Sequence, residues 1–119
     1  MTRVVSEPVF REALQAVLLV VDRSAFDMVT GPGRSGAVAA VYASHRLGLP
    51  FLPFGAVPPP STRVLVVDTV AASGRTIRKA VSKYQRLPGV TATSVVAFDH
   101  PPRRLHFWYE SVAFPLTAP

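Results

Sequence analysis

The sequence predicts an α/β fold in three layers, a mainly parallel sheet with helices on both faces. Three observations predict it. Val64-Leu65-Val66-Val67 is a continuous, mostly β-branched apolar run, the pattern of a central strand buried on both faces. Twice, at 26–47 and 64–87, a short apolar run leads into a small-residue loop and then into helical spacing. A further apolar run, Thr91 to Phe98, follows the second helix. Strands that alternate with helices imply parallel pairing through right-handed crossovers.

Composition is compatible with this. The 119 residues suit one domain, 1–119, able to bury roughly two-thirds of its unfolded surface. With 49% apolar and 17% charged residues, the chain is core-forming, not disordered. Its apolar runs, Ala16 to Val21 among them, fall far short of the ~20 residues of a membrane span. The N-terminus lacks a signal-peptide pattern, so a cytoplasmic protein with no membrane partner is expected. Absence of cysteine excludes disulfides and thiolate metal sites. The net charge of +6 favours polyanions: nucleotides, pyrophosphate compounds or nucleic acid.

Taken in order, Ser6-Glu7-Pro8 reads as a helix start with Pro8 in the first turn. Phe10, Ala13, Leu14, Val17, Leu18 and Val21 follow on one face, and Asp22-Arg23-Ser24 closes the helix. Leu19 and Val20 widen that face, so the helix is either deeply packed or part of a subunit contact. Phe26 to Thr30 is a short strand running into Gly31-Pro32-Gly33-Arg34-Ser35-Gly36. A helix from about Ser35 to Leu47 follows, with Gly48 as its C-terminal cap. Gly31, Gly33 and Gly36 formally satisfy a dinucleotide fingerprint, yet Pro50 to Pro60 holds no Asp or Glu to follow it. Ala37-Val38 after Gly36 excludes a Walker A loop. Glycines that serve only a tight turn stand as the alternative to a ligand loop. Phe51 to Phe54 is a candidate strand, and Pro53 with Pro58-Pro59-Pro60 makes a stiff connector beyond it.

The Val64–Val67 strand is expected to end at Asp68. Small residues then lead to Ser73-Gly74-Arg75-Thr76, which opens a helix reaching Leu87 with apolar Ile77, Ala80, Val81 and Tyr84. A strand, a tight loop and a helix N-terminus make an anion site, because amides point outward and the helix dipole favours negative charge. Gly74 permits close approach, and Ser73 and Thr76 add hydroxyl donors. Asp68, at the loop mouth, suits sugar hydroxyls better than phosphate. The plain alternative is a helix merely capped by Ser and Thr. Arg75, Arg78, Lys79, Lys83 and Arg86 form either a solvated basic face or a nucleic-acid surface. Past Asp99, Pro101-Pro102-Arg103-Arg104 breaks the chain, His106 to Tyr109 is an aromatic cluster, and Ser111 to Phe114 is a candidate last strand. His45, His100 and His106 have no metal-ligand spacing.

Residues 64–76 resemble the ribose-phosphate-binding motif of the type I phosphoribosyltransferases, four apolar residues leading to two acids and a loop ending Thr-Gly-x-Thr. Val64 to Val67 match the strand, Asp68 the first acid, and Ser73, Gly74 and Thr76 the loop; Thr69 stands where the second acid would be. Loop 31–36 resembles the family's pyrophosphate loop, and Leu47-Gly48-Leu49-Pro50 matches its usual Leu-Gly-x-Pro. The resemblance spans roughly residues 26 to 99 and implies a Rossmann-like core. It implies transfer of ribose 5-phosphate from phosphoribosyl pyrophosphate to a nitrogenous base, with release of pyrophosphate, Mg²⁺ as cofactor and a homodimer. It assigns Asp68 the catalytic and metal role, and Ala72, Ser73, Gly74, Arg75 and Thr76 the 5-phosphate. Gly31, Gly33, Arg34, Ser35 and Gly36 take the pyrophosphate. Trp108, or Phe107, stacks on the base near Ala113-Phe114-Pro115, which is similar to the purine-salvage members; core or dimer contacts are the alternative. The stretch from Pro50 to Arg63 is short where the family carries a mobile loop, so the lid is expected to be short or absent. With Thr69, this keeps open a module that binds the sugar pyrophosphate or a nucleotide without turnover. Ser73 to Arg78 with Val96 to His100 is also similar to the family's pyrimidine-operon RNA-binding regulators, which keeps nucleic acid as a further partner.

Overall fold

A computed structural model describes residues 2–111. In chain order its elements are β1 (Thr2–Val5), α1 (Glu7–Leu18), a 3₁₀ turn (Arg23–Ala25), β2 (Met28–Thr30), α2 (Gly33–Leu47) and β3 (Arg63–Ala71). Then come α3 (Arg75–Gln85), β4 (Thr91–Asp99), β5 (Arg104–Phe107) and a 3₁₀ turn (Trp108–Ser111). Pairing is parallel throughout, but the strands form two sheets. One is β2-β3-β4, with Met28 opposite Val64 and Val66 opposite Ser94. The other joins β1 to β5, with Thr2 opposite Arg104 and Val5 opposite Phe107. Neither β1 nor β5 was expected from the sequence.

Both faces of the three-stranded sheet are covered by helices. Leu65 and Val67 point toward α1 and α2, meeting Phe10, Leu14, Ala39 and Ala43, while Val64 and Val66 point toward Ile77, Ala80 and Tyr84 of α3. This is the period-2 alternation of a strand whose two faces are both apolar. All four β3 residues are fully buried, and each contributes roughly 1.5–3 kcal/mol of transfer free energy.

The topology places the site. From β2 the chain passes through α2 to Phe51, which forms a single parallel bridge to Val29 on the edge of β2 away from β3. That bridge is all that forms of the strand expected at 51–54. From β3 the chain passes through α3 to β4 on the opposite side. The connections of two adjacent strands therefore diverge, and the crevice at their carboxyl ends is where open α/β sheets bind ligands.

Three boundaries differ from expectation. Helix α1 starts as expected, with Ser6 Oγ accepting the Val9 amide, but ends at Leu18; Asp22 instead caps the following 3₁₀ turn. Leu19 and Val20 are 74% and 87% exposed, which removes the deeply packed alternative for them. Strand β3 continues to Ala71, so Asp68 lies within the strand and not at its end. Ladder bonds to β4, with Asp68 opposite Val96 and Ala71 opposite Asp99, carry the backbone past the carboxylate. The proline connector lies on α3: Phe54 packs edge-on to Tyr84 at 5.7 Å, and the Gly55 amide donates to the Tyr84 hydroxyl. Ser111 belongs to the last 3₁₀ turn; the rest of the strand expected at 111–114, with Ala113-Phe114-Pro115, lies outside the described residues. No helix among the described residues is long and apolar enough to cross a membrane.

Candidate functional site

A cavity of about 750 Å³ opens at the carboxyl ends of β2 and β3. Asp68, Thr69 and Val70 of β3 form its floor, Pro32 to Ser35 one wall, and Ala72 with Thr76 the other. Residues Pro101 to Leu105, with Phe107, Tyr109 and Glu110, form the roof. A smaller cradle of about 190 Å³ lies within residues 70–77 and shares Val70, Ala72 and Thr76 with the cavity. No residue of the connector 50–62 lines either space. The roof comes from the C-terminal segment.

Two helix N-termini lie beside this space. Helix α2 follows Pro32 and helix α3 follows Gly74, and neither preceding residue supplies a side-chain cap, whereas Ser6 caps α1. Ser73 Oγ accepts the Arg75 amide at 3.3 Å, and Arg78 donates back to the Ser73 carbonyl at 3.2 Å. Beyond the Arg75 amide, such a first turn leaves amide donors for a ligand and places the positive end of the helix dipole beside it.

The glycines of loop 31–36 divide by role. A Cβ on Gly31 would stand 2.0 Å from the Gly36 carbonyl oxygen and 2.4 Å from that of Val67. One on Gly36 would stand 2.6 Å from the Gly31 carbonyl carbon. These two pack against each other and against β3, and neither lines the cavity. Gly33 does line it, in a left-handed conformation with open space where a side chain would stand.

Asp68 is 6% exposed, and its Oδ1 accepts the Thr69 amide at 2.7 Å. Burial pushes its pKa up to about 6, against the partial opposition of the Thr69 hydrogen bonds. Among the described residues, no group of three or more His, Cys, Asp or Glu side chains could hold a metal ion. A cation at Asp68 must therefore bring most of its oxygen ligands with it. Thr69, in the place of the second acid, is 2% exposed.

Arg34 is oriented by the roof. Its guanidinium donates to the Tyr109 carbonyl and lies 5.4 Å from the centre of the Tyr109 ring. The Tyr109 hydroxyl donates to Ser35 Oγ at 2.6 Å, and its ring stacks on Phe107 at 5.6 Å with 11° between planes. Trp108, expected to face a base, points away. It packs on Phe10 at 5.4 Å and does not line the cavity, so the aromatic surface facing a ligand is Phe107 and Tyr109. Both residues belong to the 3₁₀ turn, so no strand period in the sequence separates Tyr109 from Trp108.

The sequence matches no family model and no curated protein sequence. Shape is more informative. The purine phosphoribosyltransferase of Pyrococcus horikoshii Ot3 superposes with a TM-score of 0.71 over 95% of this chain and 96% of its own, at 18% identity. This chain has the type I phosphoribosyltransferase fold. The orotate phosphoribosyltransferase of Aeropyrum pernix is 26% identical with a TM-score of 0.63, covering 85% of this chain and 70% of that one. A Neisseria gonorrhoeae protein with bound ppGpp matches with a TM-score of 0.69 at 13% identity, over 94% of this chain and 90% of its own. Within this phosphoribosyltransferase fold, Asp68 and residues 72–76 come together as the sequence motif groups them, and Arg34 with Ser35 faces them across the cavity.

Proposed function

We propose that the protein binds phosphoribosyl pyrophosphate and transfers its ribose 5-phosphate to a nitrogenous base, releasing pyrophosphate. The observation that carries this reading is the continuity of a phosphate-sized cradle at 70–77 with a larger cavity that has a buried carboxylate on its floor. A ligand with phosphate, sugar and pyrophosphate in series fits such a space.

In this reading the α3 amides and the Thr76 hydroxyl hold the 5-phosphate, as helix N-termini hold anions generally. Asp68 accepts hydrogen bonds from ribose hydroxyls and stabilises positive charge growing on carbon 1 as the pyrophosphate leaves. Arg34, Ser35 and the first amides of α2 receive the leaving group, and the Phe107–Tyr109 wall aligns a planar base. Most of the rate enhancement comes from positioning and fixed charge. Magnesium fits one buried carboxylate because it binds through one or two carboxylates plus substrate phosphates, and its chemistry here is charge neutralisation on the pyrophosphate. Exposed Leu19 and Val20 at the end of α1 support a homodimer contact.

A second reading is a nucleotide-binding module without turnover. It is favoured by Thr69 and by a connector fixed on Tyr84, away from the cavity. The ppGpp in the Neisseria gonorrhoeae structure is a nucleotide ligand on the same fold. Isothermal titration with phosphoribosyl pyrophosphate and Mg²⁺, followed by pyrophosphate release with a panel of bases, separates the two. Binding with release is the expected result. Binding without release selects the module, and no binding overturns both.

A further inference from the structure

We infer that Tyr109 is a positioning residue for the pyrophosphate, its hydroxyl fixing Ser35 so that the serine proton is aimed into the cavity. The inference rests on the phosphoribosyl pyrophosphate reading above and adds to it a residue outside both sequence motifs.

Three contacts fix the phenol. Its ring lies between Phe107, stacked at 5.6 Å, and Trp108, edge-on at 5.0 Å, and its backbone carbonyl accepts Arg34. The residue is 7% exposed, and burial raises the phenol pKa, which keeps it protonated and a donor. The hydroxyl donates to Ser35 Oγ at 2.6 Å. A hydroxyl carries one proton and two acceptor lone pairs. With the phenol proton spent on Ser35, the serine's own proton is the one left for a ligand. Ser35 lines the cavity on the wall where the first turn of α2 begins. Hydrogen-bonded hydroxyls in series polarise one another, so the last donor is strengthened toward an anion.

The test compares wild type with Tyr109→Phe, Ser35→Ala and the double variant, with folding checked by near-UV circular dichroism. Each is titrated with inorganic pyrophosphate, with phosphoribosyl pyrophosphate and Mg²⁺, and with a nucleoside monophosphate. Loss of one net hydrogen bond corresponds to about a 3- to 10-fold weakening. Tyr109→Phe should show that loss for the two pyrophosphate ligands and leave the monophosphate unchanged. The double variant should be no weaker than Ser35→Ala, because the two act in series. Equal loss for all three ligands makes Tyr109 a structural pillar and overturns the inference, as does no loss or full additivity with Ser35→Ala. A wild type that binds none of the three overturns the function and the inference together, whereas binding that ignores Tyr109 overturns the inference alone.

Discussion

The two loops that frame the cavity are built on different principles. Loop 31–36 is closed on itself: Gly31 and Gly36 are in backbone contact, and Tyr109 ties both Arg34 and Ser35 to the roof. Loop 72–76 is an open cradle whose Gly74 has a φ of 78° and whose brace is the exposed Arg78–Ser73 hydrogen bond. Gly31 and Gly36 in the first loop are there because nothing larger fits. In the second, glycine is there because of the conformation it adopts. A phosphate that stays attached to the sugar suits an open cradle of amides. A leaving pyrophosphate suits a wall whose cation and hydroxyl are held in place from outside the loop.

This difference can be broken at its strongest point. Gly31→Ala drives a Cβ to within 2.4 Å of two carbonyl oxygens, so it should destabilise the fold by about 3 kcal/mol or more, read from urea unfolding. A loss below about 1 kcal/mol would mean that the loop relaxes easily and is not closed in the sense described.

Asp68 lies between the loops and should separate stability from binding. Its folded pKa of about 6 lies above the ordinary 3.8, so the folded state binds the proton more tightly than the unfolded state does. Stability from this group is full below 3.8 and is lost as pH rises through about 6. Asp68→Asn should therefore raise unfolding free energy at pH 8 by about 2–3 kcal/mol and flatten its pH dependence between 4 and 6. In the proposed reading the Mg²⁺ complex is bound through the ionised carboxylate, so wild-type affinity should rise with pH through about 6, and the variant should bind weakly at every pH. An Asp68→Asn protein that binds as well as wild type would remove the carboxylate from the site.

Gly74→Val sharpens the second loop. Its Cβ would stand 2.8 Å from Arg78 Nη1, so the variant displaces the exposed Arg78–Ser73 brace and adds the left-handed backbone strain of roughly 1–2 kcal/mol, and it should stay folded. Nucleoside monophosphate affinity should nevertheless fall at least tenfold, and retained affinity in a folded variant would place the phosphate elsewhere. Gly33→Ala, with an open Cβ position and a φ of 67°, should show the smallest effect, about 1 kcal/mol by thermal unfolding.

Legibility in the sequence followed the length and continuity of each signal. The β3 run at 64–67, the β4 run from Thr91 and the helices after both loops all carry enough residues to set a period. Strands β1 and β5 do not: each has four residues, and each is extended only because the other lies beside it at a distant position in the chain. Asp68 was placed too late in the strand because a carboxylate ordinarily marks an edge, whereas here ladder bonds on both sides of it carry the strand to Ala71. At the site, Asp68 and residues 72–76 were readable because one contiguous motif holds them. Tyr109 was not, since Trp108 offers the larger ring and no strand period orders two residues of a 3₁₀ turn.

The β1–β5 pair bears on the order of folding and on local opening. Strand β3 pairs with β4 across a single helix, but Thr2 meets Arg104 only after nearly the whole described chain has been laid down. Loop-closure entropy makes such distant contacts slow to form. Amides of β1 and β5 should exchange with solvent ahead of those in β3, because a two-stranded pair with exposed Thr2, Arg3 and Val4 opens at lower free energy than a fully buried central strand. Opening of that pair would carry Arg104, Leu105 and Phe107 of the roof with it and leave residues 70–77 in place. A group fused next to Thr2 should therefore be felt first at the roof, as faster amide exchange in β5 with no change in β3.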